Sequence, residues 1–195
     1  MLNRAEEHAH LGNETRDRAP LGAPTLTGLL QQRVAEYRDK VAFNFSYNGE
    51  EVHGKSLTYQ DLDIKARQIA SRLQQQGATG ERVLVLCPPG LDFVAGFFGC
   101  LYAGSVAIPV HPPMREHLVP RVASIIADVR PRFALTTAEP QAKIQARVDD
   151  LVDGRPLQWC VADEVIGDGE KWMAPEIDSS TVAMVPVRYT RKKGA

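Results

Sequence analysis

The sequence predicts an α/β fold, a parallel sheet flanked by helices with a preceding β-hairpin. Three observations carry this. Short apolar runs over Arg82–Cys87, Ser105–Val110, Phe133–Thr136 and Leu157–Val161 have the length and composition of buried strands. Helical patterns fill the intervals, over Leu91–Ala103, from Pro120 to Val129 and over Gln141–Leu151. Strands alternating with helices build parallel sheets covered on both faces. Upstream, an alternating stretch runs into Asn48-Gly49, a pair that tolerates positive φ and marks a tight hairpin turn.

The elements follow in order. Thr25–Tyr37 reads as an amphipathic helix, capped by Thr25, with Leu26, Leu30, Val34 and Tyr37 at spacings of three and four. Val41, Phe43, Phe45 and Tyr47 alternate with smaller or polar residues, the period of a half-buried strand, and the return strand runs through Glu51–Leu57. Thr58 and Asp61 then form a capping-box pair. The helix they open carries Leu62, Ala66, Ile69, Ala70 and Leu73 on one stripe and ends at Gly77. Leu91–Ala103 is apolar nearly all round and should be buried on several sides. Pro120 suits the first turn of the next helix, where its missing N–H is harmless; Val122, Ile125, Ile126 and Val129 form its apolar side.

Composition excludes several classes. Of 195 residues, 44% are hydrophobic and 24% charged, and the formal net charge of -1 offers nothing for nucleic acid or an anionic membrane. Leu91–Val110 is long and apolar, but Gly96, Gly99, Gly104 and Pro109 interrupt it, so it reads as helix and strand and not as a membrane span. The first residues lack the apolar stretch of a secretory signal. Cys87, Cys100 and Cys160 are far apart and set among apolar residues, which fits buried reduced thiols and a cytoplasmic location. No histidine stands at ligand spacing from a cysteine, so no metal site is expected.

The residues show little chemistry. Neither G-x-x-x-x-G-K-[ST] nor G-x-G-x-x-G occurs. Gly77-Ala78-Thr79-Gly80 follows a helix and precedes a strand, the wrong order for a phosphate loop. Pro88-Pro89-Gly90 does join a strand to a helix, but two of its residues have no N–H to donate. No serine or cysteine lies in a strand–turn–helix elbow that would serve His53, His111 or His117. His111 closes a strand, the end where α/β proteins collect ligands, and is the histidine to watch. Asp61 and Asp63 read as helix-start charges, and Asp149, Asp150 and Asp153 as a solvated helix end.

Two motifs extend the reading. Leu57-Thr58-Tyr59-Gln60-Asp61-Leu62 matches L-[TS]-Y-x-[ED]-L, and Cys100 to Val110 matches L-x-A-G-x-x-x-x-P. In this order they resemble the adenylate-forming, acyl-activating enzyme superfamily. Phe93 to Pro113 looks most like the amino-terminal part of a fatty acyl-AMP ligase, with His111 in the position where that branch carries an aromatic residue. The fold class becomes the amino-terminal subdomain of that enzyme fold, truncated. The resemblance implies ATP-dependent joining of a fatty acid to AMP, with magnesium, and transfer of the acyl group to an acyl carrier protein. In such enzymes the phosphate loop, the acyl pocket and the catalytic lysine come later in the sequence. The expected organisation is a loose polar leader over 1–24, a partial amino-terminal subdomain over 25–187 and an off-pattern basic tail over 188–195.

Ser179–Val185 resembles the strand before the phosphate loop; Tyr189-Thr190 stands where the loop would begin, and Arg191 to Ala195 replaces its glycine- and serine-rich run. A frameshift, early stop or gene interruption would produce this, and a basic tail for an anionic partner is the other reading. The chain is expected to be inactive alone, and no residue is assigned a catalytic, cofactor-binding or metal-ligating role. Two alternatives remain: half of a split enzyme, with the carboxyl-terminal portion as a separate chain, or a noncatalytic binding module using the strand ends near Pro88 and His111. Apolar surface left uncovered around Val182–Val187 is expected to favour association.

Overall fold

The computed structural model describes residues 24–46, 55–152 and 156–187. Asn48-Gly49, His53 and Asp153 lie outside the described residues, as do the leader up to residue 23 and the tail from residue 188.

Helix α1 (Leu26–Tyr37) is capped by Thr25, whose side chain accepts from the Gly28 N–H at 3.1 Å. Strands β1 (Val41–Phe45) and β2 (Lys55–Thr58) pair antiparallel, as a hairpin requires. The half-buried face expected of β1 is poorly covered: Val41 and Phe43 are exposed, and it is Leu57 of β2 that enters the core. Helix α2 (Tyr59–Gln75) opens with the full capping box. Thr58 Oγ1 accepts from the Asp61 N–H, and Asp61 Oδ2 accepts from the Thr58 N–H, both at 3.0 Å. The Thr58 side-chain and backbone hydrogen bonds hold the Asp61 carboxyl below its ordinary value. Gly77, at φ 81°, turns the chain at the far end, and the Ala78 N–H returns to the Leu73 carbonyl at 2.9 Å.

From there strand and helix alternate: β3 (Arg82–Val85), α3 (Leu91–Tyr102), β4 (Val106–Pro109), α4 (Val119–Val129), β5 (Phe133–Thr136), α5 (Ala138–Asp149) and β6 (Gln158–Val161). Pro120 sits in the first turn of α4. Helix α5 begins three residues earlier than its apolar pattern suggests, because Pro140 fits the first turn without needing an N–H.

The four strands β4-β3-β5-β6 form one parallel sheet in that order. Alternate residues serve its two faces. Val83, Val85, Phe133 and Leu135 pack with α1, α2 and α3, while Leu84, Leu86, Ile108 and Ala134 pack with α4 and α5. This is why Val83–Val85 and Phe133–Leu135 are apolar at successive positions: each face meets a helical layer. Ala107 also bridges Met184 in parallel, so the segment around 184 lies beside β4 as an edge.

Helices α2 and α3 approach closely at Gly99, where a Cβ would lie 2.5 Å from Ile69 Cγ2. Among the described residues no helix is long and apolar enough to cross a membrane. Asp63 does more than the helix-start charge expected of it. It is buried, accepting from the Tyr102 hydroxyl and from Arg67 Nε, each at 2.7 Å. Asp149 likewise departs from a free helix end, because its Oδ1 accepts from Trp159 Nε1–H at 3.0 Å.

Candidate functional site

Parallel α/β sheets bind ligands outside the carboxyl ends of their strands, where successive connections leave in opposite directions. Here that point lies between β3 and β5, since the chain passes from β3 to β4 on one side and returns to β5 on the other. A groove of about 620 Å³ opens there. The turn after β3 supplies Pro88, Pro89 and Gly90; the ends of β5 and β6 supply Thr137 and Asp163; the hairpin supplies Phe45, Lys55 and Leu57.

Gly90 stands at φ 155°, ψ -172°, a backbone region essentially restricted to glycine. It delivers the chain into α3 with the first turn facing the groove. At α5 the capping is unusual. Thr137 occupies the N-cap position without a side-chain capping bond, and Asp163 Oδ1 takes the Ala138 N–H instead, at 2.9 Å. Thr137 is buried and lines the groove.

Electrostatically the groove is mixed. Asp92 pairs with Lys65 at 3.6 Å, both about half exposed, an ion pair worth little in water. Glu139 pairs with Lys143 along α5. Cys87, directly before the prolines, is buried with its thiol 3.9 Å from the Leu135 carbonyl. Burial, with a smaller contribution from Asp92, pushes its pKa up to about 12. It is therefore a poor nucleophile at neutral pH. Burial likewise pushes Cys160 up to about 12 and raises Cys100 well above the ordinary thiol range. All three cysteines are free and buried, as their apolar settings suggested.

For a triphosphate this groove offers the cations Lys55 and Lys65 but few other donors. Pro88 and Pro89 have no N–H to offer it, and Asp92, Glu139 and Asp163 would face its charge. Among the described residues no group of three or more His, Cys, Asp or Glu could hold a metal ion. The groove collects Pro88 but not His111, which stands exposed beyond the end of β4. Lys55, Thr137 and Asp163 carried no warning in the sequence, because β5–β6 pairing and the packing of the separate β1–β2 sheet beside them bring them together. A smaller cavity of about 180 Å³ lies between Thr25–Thr27 and Ile177–Ala183, against Gly104 and Ser105. Those residues precede β4, so this cavity sits at the opposite, amino end of the sheet.

Residues 30–186 match the model of the AMP-binding enzyme family. The chain belongs to that family. A medium-chain-fatty-acid–[acyl-carrier-protein] ligase of Moorena producens is 38% identical over 171 residues, covering 85% of this chain and 28% of that enzyme. A long-chain-fatty-acid–AMP ligase of Mycolicibacterium smegmatis is 32% identical over 164 residues, covering 82% of this chain and 26% of that enzyme. Among solved structures, the fatty acyl-adenylate ligase of Legionella pneumophila, in complex with acyl adenylate and pyrophosphate, superimposes with a TM-score of 0.74 at 27% identity. That match covers 84% of this chain and 28% of the Legionella chain. The chain is thus most like the amino-terminal part of a fatty acyl-AMP ligase and spans little more than a quarter of these relatives' length. Its hairpin, capped helix and parallel sheet are the amino-terminal subdomain of an AMP-binding enzyme.

Proposed function

We propose that the protein's activity is ATP-dependent adenylation of a fatty acid, with transfer of the acyl group to a carrier protein. In this reading the 195-residue chain supplies scaffold and no chemistry of its own. The observation that carries it is the likeness of most of the chain to enzymes named as fatty-acid–AMP and fatty-acid–carrier-protein ligases. Geometry agrees on where chemistry would stand. The segment around Met184 runs parallel to β4 and so heads toward the carboxyl side of the sheet, the side where such folds bind ligands. Pro88 and Pro89 have no N–H to offer a triphosphate and the groove's carboxylates outnumber Lys55 and Lys65, so in this reading ATP and magnesium are held by residues outside the groove.

The test is fatty-acid-dependent ATP–pyrophosphate exchange. The purified chain should show none, and addition of a polypeptide carrying the later motifs of the family should restore it. Exchange by the chain alone would overturn the scaffold reading. Exchange restored with another class of acid and not with fatty acids would overturn the substrate.

The groove itself favours a second reading. Its volume of about 620 Å³ would admit a small molecule, as a noncatalytic binding module requires. Specific ligand binding at Pro88 in a chain that no added polypeptide activates would favour that reading.

A further inference from the structure

Beyond β6 the chain crosses from one edge of the sheet to the other, over α2 and α3, before reaching Ala183–Val185 beside β4. That crossing is pinned at three places. Gly169 lies against α2, where a Cβ would be 3.3 Å from Gln68 Cγ. The Gln74 side chain takes both backbone groups of Met173: its Nε2 donates to the carbonyl at 2.7 Å, and its Oε1 accepts from the N–H at 3.2 Å. Between them, the Trp172 indole is gripped on two sides. The Arg67 guanidinium carbon stands 4.4 Å from the ring, and the Tyr102 ring stacks at 5.0 Å and 23°. The indole Nε1–H donates to the Tyr102 carbonyl at 2.7 Å.

The grip is itself organised from below. Asp63 receives the Tyr102 hydroxyl on one oxygen and Arg67 Nε on the other, so a single buried carboxylate orients both surfaces that hold the indole. The edge segment, by contrast, has few contacts of its own, with Val185 and Val187 packing partly buried on the side of α4 and α5. The Ala107 N–H donates to the Ala183 carbonyl and the Val185 N–H to the Ala107 carbonyl, both at 3.0 Å, while Val182 and Met184 remain exposed. Two hydrogen bonds and two partly buried valines offset only part of the entropy of ordering such a stretch.

We infer that residues 162–176 form a strap latched by Trp172, and that this latch decides whether the edge segment Ala183–Val185 lies on β4. With the indole seated, the strap delivers the chain to β4 in register. With the indole out, the strap and the edge segment open together as one local unit while the sheet beneath stays closed. On the adenylating-enzyme reading proposed above, the same latch aligns the strand that leads into the phosphate loop.

Amide hydrogen exchange on the 195-residue chain reads the latch directly and is independent of adenylation activity. Trp172→Ala should speed exchange of the Val185 amide at least about tenfold, while the Leu86 amide, bonded to the Leu135 carbonyl at 2.8 Å in the central sheet, keeps its protection. An unchanged Val185 rate in this variant overturns the inference. If Trp172→Ala loses protection everywhere, Trp172→Phe decides: it keeps a ring for Tyr102 but removes the Nε1–H. Selective acceleration at Val185 in Trp172→Phe supports the latch. Rates equal to wild type, or uniform loss, would show that Trp172 belongs to the global core, and the strap claim fails.

Discussion

Gly99→Ala is the sharpest test of how α2 and α3 are packed. In an open helix this change stabilises by about 1 kcal/mol, through the better helix propensity of alanine. Here the new Cβ would lie 2.5 Å from Ile69 Cγ2 and 2.7 Å from Ile69 Cβ, against 3.4–4 Å for ordinary contact. Ile69 is buried, and its Cβ is fixed to the α2 backbone, so no rotamer change relieves the clash. The two helices must separate by roughly 1 Å, at the upper end of the ~1–3 kcal/mol typical of overpacking. The net result is a loss of about 2 kcal/mol, which lowers the urea midpoint by ~1 M for a slope near 2 kcal/mol/M. Urea unfolding followed by circular dichroism measures it. Gly96→Ala is the control, since the one close approach of its Cβ would be to the Leu135 Cδ2 methyl, at 2.8 Å, with Cys87 Sγ at an ordinary 3.6 Å, and it should cost less than half as much. A Gly99→Ala midpoint at or above wild type would refute the close approach of these helices.

Three further outcomes follow from the same geometry. Tyr102→Phe removes the hydroxyl that Asp63 accepts at 2.7 Å, leaving a buried carboxylate oxygen without its donor; urea unfolding should show a loss of about 1.5–3 kcal/mol, and no loss would contradict the pairing. For the thiols, the folded pKa of Cys87 and Cys160 is about 12 against 9.0 for an ordinary thiol, so only the unfolded chain ionises between those values. Their contribution is complete below pH 9 and is lost as pH rises toward 12, by up to about 1.4 kcal/mol per pH unit for each thiol; Cys160→Ala should flatten the alkaline slope of the urea midpoint, and an unchanged slope would sink the argument. Val182 and Met184 are 58% and 40% exposed on an edge segment, so the chain should self-associate in light scattering, and the double change to lysine should reduce this; a monodisperse wild-type chain would count against it.

The sequence by itself determined what local physics can encode. The Thr58–Asp61 capping box, Gly77 at the end of α2 and Pro120 in the first turn of α4 specify their elements through hydrogen bonds and backbone angles a few residues apart. Continuous apolar runs such as Val83–Cys87 announced strands covered on both faces, and two short motifs carried the family. Only the tertiary structure decided what distant residues do to one another. Asp63 looks like any carboxylate near a helix start until Tyr102, 39 residues away, donates to it in a buried setting. Asp163 replaces Thr137 as the cap of α5 from 25 residues beyond Ala138, and Trp172 reaches back 70 residues to Tyr102. The groove at Pro88 is the same kind of object. Its walls come from a hairpin, a turn and two strand ends, and the sheet order that joins them follows from packing, which no local spacing records.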